Sequence, residues 1–216
     1  RRLVPEMERR GVDVFFGTME RANEQLVEEV LADPEIGARL GGVAFQWAGK
    51  GAVPFIHHDH PELKIYQSEQ ECGDGRNDWR YARYAWGMMR HYFNNGASVY
   101  DYWNLALDEG GVSRWGWSQN SFVTVDPETA QHRFNHEYYV WKHLAHFVHT
   151  GARFAPTLSY TGYENVLAFV NPDGSVVLAA QNDMSTDMPI SFGVGGRLVR
   201  LTLPADSIST VLLPAS

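Results

Sequence analysis

The chain has 216 residues, 44% of them hydrophobic and 13% aromatic, which is enough apolar material for a sizeable core and excludes a disordered chain. Its formal net charge of -8 supplies no basic stripe to follow a phosphate backbone, so nucleic acid is not an expected partner and an anionic membrane surface is disfavoured. The single cysteine rules out an intrachain disulfide, and no apolar run approaches the roughly 18 residues a membrane span needs.

Up to about residue 110, short apolar runs alternate with helical segments, the pattern of βα units. Residues 12–19 read as a strand, residues 24–31 as a helix with acids between its apolar positions, and Asp33-Pro34 as a break that starts another short helix. Residues 42–47 read as a second strand. A loop over residues 48–63, containing His57-His58-Asp59-His60, leads to a third strand over residues 64–68. An aromatic helix over residues 79–92 and a fourth strand over residues 98–105 follow. Alternation of this kind implies parallel strands joined by crossovers, either as an open sheet or as half of a (β/α)8 barrel.

Beyond residue 120 the texture changes. A long aromatic helix over residues 136–149 gives way to short strands at 167–170, 176–180, 198–203 and 209–213. Asn171-Pro172-Asp173-Gly174-Ser175 reads as a hairpin turn, and Gly193-Val194-Gly195-Gly196 as another. The expected division is 1–152 for the βα part and 153–216 for an antiparallel β module.

Glu69 and Glu71 follow the apolar part of the third strand, and alternation puts them on one face if the strand continues. The carboxyl end of a parallel strand is where barrels and open sheets place their active sites, and a carboxylate there can act as nucleophile or general acid or base. Equally, both can be solvated loop residues. The other strand ends carry Glu20, then Gln46 and Trp47, then Trp103 and Asn104, while Trp117 and Gln119 lie in a later glycine-containing loop. Aromatic faces beside amides and carboxylates suit a sugar site, since rings take the C–H surface and polar groups fix hydroxyls. For any single tryptophan, core packing is the commoner role.

The histidine cluster at 57–60 reads as a polar loop and not as a metal centre, because no second cluster fixes a tetrahedron. His136-Glu137 lacks the second histidine of a zinc-protease motif, Gly73-Asp74-Gly75 lacks the lysine of a phosphate loop, and Cys72 reads as a packed thiol. No metal and no cofactor are expected.

The segments Tyr66-Gln67-Ser68-Glu69, Tyr102-Trp103-Asn104-Leu105-Ala106-Leu107-Asp108-Glu109-Gly110-Gly111 and Ser121-Phe122-Val123-Thr124-Val125-Asp126 resemble glycoside hydrolase family 30. Residues 42–47 and 138–147 match in order as well. The resemblance implies the second half of a (β/α)8 TIM barrel, strands five to eight, followed by an antiparallel β-sandwich. It also implies a retaining β-glycoside hydrolase, of glucosylceramidase or β-glucosidase type, with Glu69 as nucleophile.

The acid/base of that family lies in an Asn-Glu-Pro-like motif after strand four, and no such motif occurs here. By the resemblance it lies upstream of residue 1, so the expected partners are the amino-terminal part of the same enzyme and a β-linked glycoside, oligosaccharide or glycolipid. Trp47 and Trp103 are then expected as pocket walls, and Gln46, Asn104, Trp117 and Gln119 as contacts to hydroxyls or the aglycone. Glu20 is expected in the substrate pocket, and Glu71 as a support for the loop or for Glu69. Without hydrolysis, the same aromatic groups suit a carbohydrate-binding module or an inactive scaffold. Localisation is open, with extracellular or periplasmic space favoured.

Overall fold

The computed structural model describes residues 2–215, which form two compact units divided between Asn135 and His136. The expected division at 152/153 falls later in the chain, because α5 (His136–Ala145) groups with the β module.

The first unit opens with α1 (Leu3–Arg9), which had no counterpart in the sequence reading. Its main sheet contains β1 (Phe15–Met19), β2 (Gly42–Gln46), β3 (Ile65–Glu69) and β4 (Ala97–Tyr100), all parallel and paired in chain order. The crossovers are α2 (Glu24–Leu31), α3 (Val53–Asp59) and α4 (Trp79–Asn94). Asn23 starts α2 by accepting from the Leu26 N–H at 3.0 Å, and Asp78 does the same for α4 with the Tyr81 N–H at 2.9 Å.

Val43, Phe45 and Ile65, all fully buried, face Val27 of α2, Val53 and Ile56 of α3 and Tyr92 of α4 in one cluster. All three helices therefore pack against one face of the sheet. On the other face Phe15 stacks on Tyr66 across β2, at 4.0 Å between ring centres. Strands added in strict chain order, with every crossover on one side, make barrel wall, whereas a doubly wound sheet reverses its order at a switch point. The open-sheet alternative is thus set aside, and the unit is part of a TIM barrel.

Several sequence expectations need correction. The segment around His57-His58-Asp59-His60 is helical, since Pro54 opens α3 and His60 closes it. His60 pairs with Glu28 at 2.8 Å and the His57 ring lies over Gly96, while His58 and Asp59 are exposed on α3. After Asp33-Pro34 comes a short 3-10 turn at Gly37–Arg39. The fourth strand ends at Tyr100, and the chain beyond it forms a separate small sheet, β5 (Ala106–Asp108), β6 (Val123–Val125) and β7 (His132–Phe134).

In the second unit, β8 (Arg153–Phe154), β9 (Val166–Val170), β10 (Val176–Asn182) and β13 (Ser207–Leu213) form an antiparallel sheet in the order β13-β10-β9-β8. The turn between β9 and β10 is the one expected: Asp173 accepts from the Ser175 N–H at 2.9 Å, and Gly174 takes φ +83°. β11 (Met188–Val194) and β12 (Arg197–Leu203) form a hairpin. The expected turn at 193–196 is confined to Gly195 and Gly196, because β11 runs on through Val194. Ile190, Phe192 and Leu201 of the hairpin pack on buried Val166 and Ala180 of the sheet, which makes the unit a β-sandwich.

Candidate active site

Glu69 is the last residue of β3, and in the parallel ladder it stands opposite Gln46, the last residue of β2. The chain leaves β2 through Trp47, whose φ of +46° turns it into a 3-10 stretch at Trp47–Ala52. That turn swings the indole toward β3, where Nε1–H donates to Glu69 Oε1 at 2.8 Å. Gly49 permits the turn, because a Cβ there would lie 1.9 Å from the Met19 carbonyl oxygen.

Glu71 is placed differently. One of its carboxylate oxygens is paired with Lys50 Nζ, and the other accepts from the Tyr84 hydroxyl of α4. Burial, and then the hydrogen bond to Glu71, push the Tyr84 hydroxyl well above its ordinary pKa, so the phenol stays a donor. Trp47, Lys50, Glu69 and Glu71 line one crevice with buried Gln67 and Gln70, a space about the size of a single water and too small for a sugar ring.

The loop after Glu71 is fastened from the segment between β5 and β6. Asn120, fully buried, accepts from the Gly75 N–H at 2.8 Å and the Asn77 N–H at 3.3 Å. Cys72 is buried, and burial raises its thiol pKa, so it stays protonated packing material.

The remaining expected site residues fall into two groups. Asn104 Nδ2 donates to Gln119 Oε1 at 3.2 Å, which ties the end of the β4 segment to the later loop. Gln119 is buried, and so braces that loop from inside. Trp103 is 40% exposed and Trp117 50% exposed, and Trp117 stacks on Trp115 at 5.8 Å, an open aromatic surface. Glu20 lies exposed just past β1, with Arg21 at 3.8 Å as its ionic neighbour.

Sequence reasoning missed Lys50, Tyr84 and Asn120. Asn120 follows Gln119 in a run of polar residues, and only its burial separates it from them. Lys50 and Tyr84 reach Glu71 from two other elements, and their spacing along the chain carries no sign of it.

The chain thus combines a barrel portion, with a carboxylate at a strand's carboxyl end, and a β-sandwich later in the sequence. Residues 157–211 match the profile of the glycosyl hydrolase family 30 beta sandwich domain. Over 180 residues the chain is 24% identical to lysosomal acid glucosylceramidase of Mus musculus, which covers 76% of this chain and 35% of that protein. Over 136 residues it is 30% identical to putative glucosylceramidase 2 of Caenorhabditis elegans, which covers 58% of this chain and 26% of that protein. The crystal structure of SrfJ from Salmonella typhimurium superimposes with a TM-score of 0.86 at 26% identity, over 99% of this chain and 51% of that one. Residues 157–211 thus carry the family 30 sandwich domain, and the chain as a whole is similar to a carboxyl-terminal part of family 30 proteins. It spans about a third or less of the length of these curated relatives.

Proposed function

We propose that this chain carries the nucleophile of a retaining β-glycoside hydrolase, of glucosylceramidase or β-glucosidase type, with Glu69 as the attacking carboxylate. The observation that carries the reading is a carboxylate at the end of a parallel strand with one oxygen taken by the Trp47 indole N–H at 2.8 Å. That bond orients the group and leaves Oε2 for attack on the anomeric carbon.

Attack by Glu69 forms a glycosyl ester while the leaving oxygen takes a proton from a second carboxylic acid. Water, deprotonated by that same group, then cleaves the ester with net retention. The second carboxyl must stand about 5 Å from the first. Glu71 does not suit this role, because both of its oxygens are engaged by Lys50 and Tyr84. We assign the acid/base to the amino-terminal part of the same protein, as the family resemblance implies. A β-linked glycoside is the substrate class, and the exposed Trp103, Trp115 and Trp117 offer apolar surface for a further sugar or a lipid aglycone.

The test is Glu69→Gln in the parent protein with an aryl β-glycoside. Turnover should be abolished, and a 2-deoxy-2-fluoro glycoside should label Glu69 in the tryptic peptide 65–76. Normal turnover, or a label on Glu71, refutes the assignment. A second reading, glycan binding without hydrolysis, draws on the open Trp115–Trp117 stack. It requires glycan binding by a parent protein that hydrolyses no glycoside.

A further inference from the structure

We infer that the Lys50–Glu71 ion pair is a positioning device for the nucleophile, acting through the backbone of Trp47. The inference rests on the reading of Glu69 given above. Trp47 holds a left-handed φ of +46°, which is costly for a bulky aromatic residue and persists only where its surroundings impose it. Lys50 imposes it. Its ammonium donates to the Trp47 carbonyl at 3.2 Å and also pairs with Glu71.

Both ends of this brace are anchored on α4. The Tyr84 hydroxyl donates to the second oxygen of Glu71, and two turns later His91 Nε2 bonds the Lys50 carbonyl at 2.8 Å. Lys50 and Glu71 are only 29% and 21% exposed, so solvent and salt screen the pair weakly. The chain of contacts therefore runs from a rigid helix, through the ion pair, to the peptide of Trp47, and from its indole to Glu69 Oε1. Removing the ammonium frees the Trp47 peptide to relax and withdraws the N–H that orients the attacking carboxylate. Glu71 accordingly serves geometry, and the chemistry is left to Glu69.

The test compares Lys50→Met, Lys50→Arg and Tyr84→Phe in the parent protein. Each is read by steady-state kinetics, by the rate of labelling with a 2-deoxy-2-fluoro glycoside, and by the NMR signal of the Trp47 indole N–H. A misplacement of about 1 Å costs up to about 100-fold, so Lys50→Met should lower kcat and the labelling rate by about 10- to 100-fold with little change in KM. Lys50→Arg should recover most of the loss, Tyr84→Phe should fall between, and the indole signal should shift in step with kcat. An unchanged kcat in Lys50→Met, or Lys50→Arg no better than Lys50→Met, overturns the inference. If Lys50→Met does not fold, Tyr84→Phe decides: a normal labelling rate with an unmoved indole signal refutes the brace. Failure of the underlying reading looks different, because Glu69→Gln would then turn over normally. An inactive Glu69→Gln beside a fully active Lys50→Met removes the positioning role alone.

Discussion

Replacing Asn120 by alanine removes one side chain that closes the loop behind Glu69. Its Oδ1 serves two backbone donors, Gly75 N–H at 2.8 Å and Asn77 N–H at 3.3 Å, at a position with no solvent exposure. The backbone bond from Asn120 N–H to the Cys72 carbonyl, at 2.6 Å, survives the substitution. A buried donor left without its acceptor costs about 1–3 kcal/mol. The Asn77 bond is long, and both loop residues are only partly buried, so water recovers some of the cost and the expected loss is about 2–4 kcal/mol. Thermal denaturation of Asn120→Ala should show a fall of about 5 °C or more. Limited trypsin digestion should cut faster after Arg76, whose side chain is already 69% exposed within this loop. A melting temperature within about 1 °C of the parent, together with unchanged cleavage at Arg76, would show that Asn120 does not hold the loop.

Gly49→Ala should cost about 1–3 kcal/mol or more and depress labelling of Glu69, because the added Cβ would meet the Met19 carbonyl oxygen at 1.9 Å. Gly51→Ala is the control, since its Cβ would meet only the Ala22 Cβ, at 3.3 Å; equal losses by melting and labelling would refute the steric argument. In the β-sandwich unit, burial holds the His143 imidazole below its ordinary pKa of 6.5, so the unfolded chain binds the proton more readily. The resulting stability is fully present above pH 6.5 and is lost as pH falls through the lower, folded value. Melting curves from pH 7.5 down to pH 5 should show this loss, and His143→Asn should flatten it; an equal slope in the variant assigns the effect elsewhere.

Much of the fold was legible because its signals are local. The apolar period of residues 24–31 predicts α2 at the bounds observed. The Asn171–Ser175 turn likewise announces the β9–β10 hairpin through side chains that bond their own backbone. Local signals failed where tertiary packing overrode them. Residues 98–105 carry enough β-formers for one long strand, yet pairing with β3 ends at Tyr100. The histidines at 57–60 look like loop, but Pro54 and the apolar pair Val53 and Ile56 commit the segment to a helix against the sheet.

The candidate site divides along the same line. Sequence by itself determined the class of core, the βα-to-β change of texture, the resemblance to family 30 and the position of Glu69 at a strand end, because each depends on neighbours within a few residues or on an ordered series of motifs. Only the tertiary structure decided that Glu69 and Glu71 differ in their surroundings. Trp47 reaches Glu69 by a left-handed turn after β2, while Lys50 and Tyr84 claim Glu71 from that turn and from α4. Two carboxylates that look equivalent in the chain are separated by side chains 13 and 21 residues away, which chain folding alone brings to them.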